Sequence, residues 1–196
     1  MQKVDAVIAV VGAVALIATV VGVVFYEDLA GEQEIVFTTG NMAATAMTGS
    51  NGEALSFAVP NNATGAALAV TVDFSGQSGQ GGTAQIQIDI TGPNGTSMRH
   101  TGTMAIGPNA NSVSVPIAVD MFSWATVPEA RVADPNSVDE TMEWTTPLTV
   151  AVTVTAPADP LLTIPGNLVN YNFSATVTPT FTVYTATVVT PEVETL

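Results

Sequence analysis

Gln85–Ile90 reads Gln-Ile-Gln-Ile-Asp-Ile, an isoleucine at every second position. A period of two sends those side chains to one face of an extended strand and the Gln and Asp side chains to the other. The stretch therefore predicts a β-strand with one dry and one wet face. The same alternation recurs at Val70, Val72 and Phe74, at Val113, Val115, Ile117 and Val119, and at Val150, Val152 and Val154. Strands are expected over Glu34–Thr39, Ala54–Val59, Ala66–Phe74, Ala84–Ile90, Ser112–Val119, Leu148–Thr155, Asn172–Thr178 and Thr180–Val189. Turn signals at Ser50–Gly52, Gly79–Gly82 and Gly92–Gly95 separate them, and Pro179 divides the last long segment or places it at an edge. Strands with one apolar face each pack as two sheets. Residues 31–196 are thus expected to form an all-β sandwich, immunoglobulin-like or jelly-roll-like, although the Cys-Trp-Cys pattern of true immunoglobulin domains is missing.

Upstream of this region the period changes. Ala6–Tyr26 carries no charge, and at about 1.5 Å per residue a helix over it would be roughly 30 Å long, the thickness of a bilayer core. The segment is long for a secretory signal and is expected to be retained. Lys3 precedes it, and Glu27, Asp28, Glu32 and Glu34 follow, which orients the N-terminus to the cytoplasm and the rest outward. The expected fold class is therefore an N-terminal hydrophobic α-helix followed by an all-β sandwich. Residues 1–30 would form a transmembrane or filament-core helix and 31–196 an extracellular domain. On the helix, Asp5, Ala9, Gly12, Ala15, Thr19, Gly22 and Tyr26 fall on one stripe whose small residues let another helix approach. Asp5 either sits as a solvated terminus complementing the helix dipole or pairs with a neighbouring subunit's N-terminal amine.

Composition narrows the function classes. The 196 residues are 47% apolar and only 10% charged, so uncharged polar side chains solvate most of the surface. Asp and Glu number 17 against 3 Lys and Arg, a net charge of -14, which repels phosphate and excludes nucleic acid as a partner. The chain has no cysteine, hence no disulfide, thiolate catalysis or cysteine metal site. His100 is the sole histidine and follows Arg99 beside a turn, an exposed polar position. No Ser-His-acid set stands out, and no enzyme activity, cofactor or small-molecule substrate is expected. Asp134, Asn136, Asp139 and Glu140 offer hard oxygen ligands at close spacing, a weak calcium candidate without the central glycine and final glutamate of a calcium loop. Otherwise no metal site is expected.

The segment Asp120–Pro147 breaks the strand rhythm and holds both tryptophans, Trp124 and Trp144, with Arg131. The indoles either cap an open end of the core or, with Arg131, form a partner or glycan surface. Three Asn-x-Ser/Thr triplets, at Asn62, Asn94 and Asn172, are candidate glycosylation sites of an exported glycoprotein.

A very short head, an uninterrupted apolar helix with a small-residue stripe over Val4–Tyr26, and a Thr-rich sandwich together resemble the archaeal type IV pilins and archaellins. The resemblance implies a structural subunit of an extracellular pilus-like filament at the cell surface. The helices would bundle at its axis and the β-domains would coat it, so the partners would be further copies and the membrane. Two other readings share the layout. One is a single-pass accessory subunit of a membrane complex with other membrane proteins as partners, and the other a tethered surface or glycan-binding module. A membrane-tethered hydrolase ranks behind all three.

Overall fold

The computed structural model describes residues 33–76, 81–132, 142–156 and 171–189. Every regular element in them is a strand: β1 (Glu34–Ala43), β2 (Met47–Ser50), β3 (Ala54–Phe57), β4 (Ala63–Gly76), β5 (Gly82–Thr91), β6 (Ser97–Ile106), β7 (Ser112–Ser123), β8 (Arg131–Val132), β9 (Leu148–Thr155) and β10 (Tyr171–Val189). The chain divides into a larger unit, Thr39–Val127 with Thr141–Thr185, and a smaller one, Met1–Thr38 with Pro128–Glu140 and Ala186–Leu196.

The larger unit is a sandwich of two antiparallel sheets. One runs β7-β4-β10 with β2 and then β1 along the far side of β10, and the other runs β3-β9-β5-β6. The chain passes from sheet to sheet between β2 and β3, β3 and β4, β4 and β5, β6 and β7, β7 and β9, and β9 and β10. Only β5 and β6 form a hairpin within one sheet. That order is a jelly roll, which decides between the two sandwich types that spacing left open. The isoleucines of β5 face inward as their period requires. Ile86, Ile88 and Ile90 lie opposite Val154, Val152 and Val150 of β9, and all six are buried. Val70, Val72 and Phe74 of β4, with Phe173, Ala175 and Val177 of β10, supply the facing layer of the same core. The outward positions hold mostly small or uncharged groups: Thr176 meets Thr71 and Thr48 across its sheet, and Gln87 meets Thr101 and Thr153 across the other. Polar solvation with few charges is thus a property of both sheet faces.

Pro179 neither divides β10 nor lies at an edge. It stands fully buried in a continuous strand, paired with Leu68 of β4. A proline inside a sheet costs a ladder hydrogen bond unless the neighbouring strand does not need its N–H. Here the neighbour is interrupted at residues 44–46, between β1 and β2, and the Ala44 N–H donates to the Pro179 carbonyl at 2.9 Å. The missing donor falls where no acceptor strand stands.

In the smaller unit, β1 and β8 pair antiparallel with Glu34 opposite Val132 and Ile35 opposite Arg131.

The expectation of a helix followed by a sandwich is corrected to an all-β fold of the described residues. No described residue is helical, because the described backbone satisfies its polar groups through strand ladders and turns. Among the described residues no helix is long and apolar enough to cross a membrane. The helix expected over 6–26, its stripe from Asp5 to Tyr26 and the boundary at 30/31 all fall on residues 1–32, outside the described ones. With no helix among the described residues to carry them, the pilin and archaellin resemblance, the filament role, the transmembrane anchor and the membrane-anchored localisation with a cytoplasmic N-terminus are withdrawn.

Candidate functional site

The chemistry of this molecule concentrates at the edges of its sheets, where backbone donors and acceptors are left without partners. β7, at one side of its sheet, carries Pro116 at mid-strand and a bulge where its register with β4 shifts between Ala66 and Leu68. Both features discourage a further strand. β9 extends beyond the four residues of β3, and its remaining edge is closed by the turn that precedes β3. Asn51 there acts as a one-residue strand: the Val154 N–H donates to its Oδ1 at 2.7 Å, and its Nδ2 donates to the Val154 carbonyl at 3.0 Å. The Gly52 N–H adds a bond to the Val152 carbonyl at 2.8 Å. The turn requires φ of 76° at Gly52, which glycine adopts without strain.

β6 has no such closure. It pairs with β5 over its whole length without a register break, from Thr91 opposite Ser97 to Gly82 opposite Ile106, and no described strand lies on its other side. The hairpin fixes which groups are free. The Gly95 N–H donates to the Gly92 carbonyl at 3.0 Å, and the Gly92 N–H donates to the Thr96 carbonyl at 2.8 Å. Antiparallel alternation from that point makes Met98, His100, Gly102 and Met104 the residues bonded to β5. The N–H and C=O groups of Ser97, Arg99, Thr101, Thr103 and Ala105 therefore point to the open edge. Their side chains are all exposed on the outer face, whereas Met98, His100 and Gly102 are half-buried toward the core. A Cβ on Gly102 would stand 3.3 Å from Ile117 Cδ1, so β6 approaches β7 of the other sheet closely there.

The same edge carries the local electrostatics. Arg99 is the only lysine or arginine of the larger unit. Its Nε donates to Asp89 Oδ1 at 2.6 Å, and Gln87 Nε2 donates to Asp89 Oδ2 at 2.6 Å. The Arg99 hydrogen bond first, and the Gln87 bond second, hold the Asp89 carboxyl below its usual value. The guanidinium uses only Nε for this, which leaves its terminal fork facing solvent beside a shallow depression of ≈ 380 Å³ lined by Asp89, Thr91, Ser97 and Arg99. The edge of β6 is therefore a neutralised strip on an acidic molecule.

The structure brings Trp124 and Trp144 together. Both indole N–H groups donate to the Ala63 carbonyl, at 3.0 and 2.9 Å, and Trp124 lies at 6.0 Å and 6.3 Å from the rings of Phe122 and Phe181. Trp124 is buried, while Trp144 is half-buried beside an open cleft of ≈ 310 Å³ with Ala58, Val59, Thr145, Thr146 and Pro147. Arg131 sits on β8 of the smaller unit. Asn62 accepts the Met142 N–H on Oδ1 at 3.1 Å and is half-buried. Asn94 is exposed and its Nδ2 donates to the Trp124 carbonyl at 2.7 Å, while Asn172 lies exposed on β10. The candidate calcium residues Asp134, Asn136, Asp139 and Glu140 fall outside the described residues. Among the described residues no three or more His, Asp or Glu side chains gather as a metal would require.

Sequence reasoning missed β6 and the Asn51 closure. The turn at Gly92–Gly95 after a clear strand was a usable signal, since a hairpin turn demands a returning strand.

No known sequence family and no curated protein matches the chain. Among solved structures it is similar to a chain of the infectious bursal disease virus Gx strain, at 12% identity over 76% of this chain and 36% of that one, with a TM-score of 0.32. It is also similar to a chain of the T13 particle of the same virus, at 12% identity, 76% and 35% coverage and a TM-score of 0.34. For the Gt strain the values are 14%, 79%, 38% and 0.25. The chain thus spans about a third of the length of these viral chains. Similarity at this level assigns neither a family nor a function.

Proposed function

We propose that the chain is a non-catalytic jelly-roll building block that works by associating with further copies of itself. One observation carries the reading. β9 is closed by Asn51 and Gly52 and β7 carries Pro116 and a bulge, yet the ten-residue edge of β6 has no proline or bulge and, among the described residues, no capping side chain. Proteins that stay monomeric blunt such edges, so a ten-residue edge left unblunted favours pairing. The sparsely charged outer faces and the neutralised Asp89–Arg99 pair let copies approach despite a net charge of -14. Sedimentation of the full chain across a range of concentrations tests this. Mass-action growth of a defined oligomer supports it, and a monomer at every concentration overturns it.

A second reading has its own observation. The exposed part of Trp144, with its N–H already committed to Ala63, offers an aromatic surface beside the Thr145 and Thr146 hydroxyls in an uncharged cleft. An aromatic surface with convergent hydroxyls suits a neutral sugar ring. Retention on immobilised neutral polysaccharide that disappears in Trp144→Ala, with the fold intact, supports this reading.

A further inference from the structure

Resting on self-association, we infer that the partner surface is β6 itself and that two copies join β6 to β6 about a two-fold axis at Thr101. The geometry leaves little choice of register. A two-fold axis perpendicular to the sheet makes the two β6 strands antiparallel, and the same surface then serves on both copies. Residues of the outer face must stay on the outer face, so odd positions pair with odd positions. The free N–H and C=O groups belong to those same odd positions, Ser97 to Ala105, so each odd pair can exchange two hydrogen bonds. The overlap is longest with Thr101 opposite its own copy, which sets Arg99 opposite Thr103 and Ser97 opposite Ala105. That register forms about ten ladder hydrogen bonds and joins two four-stranded sheets into one continuous sheet.

Charge selects the same register and the same occupant. A shift by one pair toward the hairpin sets His100 opposite its copy at close range, and a further shift brings the two Arg99 side chains opposite each other. With Thr101 on the axis, each Arg99 instead faces a threonine, and its free guanidinium fork lies over the neighbouring strand. For a second copy of this acidic chain, this edge presents the larger unit's one strong cation, Arg99, beside Asp89, rather than an unpaired acid.

Three variants of the full chain test the inference. Because the chain has no cysteine, Thr101→Cys introduces a single thiol, and residues directly opposite in a bonded pair have Cα atoms about 5.5 Å apart, within disulfide reach. Oxidation is expected to trap a covalent dimer that Thr83→Cys, on the outer face of β5, does not give. Thr103→Pro removes a donor that faces the open edge rather than β5, and is expected to raise the dimer dissociation constant at least about tenfold. Thr103→Lys places a second cation opposite Arg99 of the other copy and is expected to weaken the dimer, while Thr103→Glu holds or strengthens it. That charge contrast needs no change of backbone, so it remains informative even where the proline variant fails to fold. Oligomers that persist unchanged in both Thr103→Pro and Thr103→Lys, without cross-linking at Thr101→Cys, overturn the β6 seam but leave self-association standing. A wild-type monomer at all concentrations overturns both.

Discussion

Trp124 and Trp144 donate their indole N–H groups to one acceptor, the carbonyl of Ala63, at 3.0 and 2.9 Å. Both belong to the larger unit, where the first follows β7 and the second precedes β9, so this shared carbonyl ties both tryptophans to the start of β4. The arrangement has a measurable signature. Trp124→Phe or Trp144→Phe leaves the carbonyl one donor, whereas the double variant leaves a buried acceptor without either indole. The second replacement is expected to cost about 1 kcal/mol more in the presence of the first than in its absence. Urea unfolding of the wild type, both single variants and the double variant gives the coupling directly, and strict additivity would remove the shared acceptor from the account.

Asn51 mimics a strand residue by using its amide as donor and acceptor at once. Asn51→Asp keeps the acceptor and turns the donor into a second acceptor facing the Val154 carbonyl. A loss of about 1–3 kcal/mol is expected, together with a faster rise in light scattering on storage as the β9 edge opens. Chemical denaturation and scattering of the same samples separate the two effects.

Pro179 is expected to resist replacement, although proline is a poor strand former. In Pro179→Ala the new N–H points into the interruption at residues 44–46, where it finds no ladder acceptor, so stability falls by about 1 kcal/mol or more. A more stable variant would mean that the gap closes around the new donor.

The Asp89 carboxyl is held below its ordinary value of 3.8 by Arg99 and then Gln87. Its contribution is therefore present above pH 3.8 and is lost as pH falls through the lower folded-state value. Thermal midpoints measured between pH 2 and 5 are expected to fall less steeply in Arg99→Met than in the wild type. The pair lies at the solvent-accessible surface, so the contrast is largest at low ionic strength.

Ionic strength is also expected to act on assembly. Copies carrying a net charge of -14 repel one another, and salt screens that repulsion, so the oligomeric fraction rises with added sodium chloride. Sedimentation at fixed protein concentration and graded salt reads this out. A falling fraction would point to an ionic rather than a backbone-paired interface.

How far the sequence could be read follows from where each side chain sits. Strands flanked on both sides announce themselves: Ile86, Ile88 and Ile90 alternate because β5 lies between β6 and β9 and buries one whole face. β6 is silent because its inward row is Met98, His100, Gly102, Met104 and Ile106, and at a sheet edge the first three are only half-buried. His100 and Gly102 interrupt its apolar positions, whereas β7, also at an edge, keeps an unbroken row of Val113, Val115, Ile117 and Val119. The sequence of β10 reads as two strands because Pro179 is a local breaker, and only the gap between β1 and β2, residues 44–46, makes it admissible. The tryptophans stood out as a pair, but nothing in the chain between them specifies that both reach Ala63. The open edge, the Asn51 closure and the charge pattern around Arg99 are products of register, and register is written in pairings rather than in any single stretch.

The position of β10 bears on how the molecule is made. It follows every other described strand in the chain, yet it lies at the centre of its sheet, where it pairs with β4 across separations of about a hundred residues and accepts β2 on its other side. During synthesis the β5–β6 hairpin can form as soon as it leaves the ribosome, but β4 waits with one flank bare until β10 emerges. Nascent chains of this protein therefore pass through a stage in which the apolar inner row of β4 is exposed, and chaperone demand should peak late in translation rather than early.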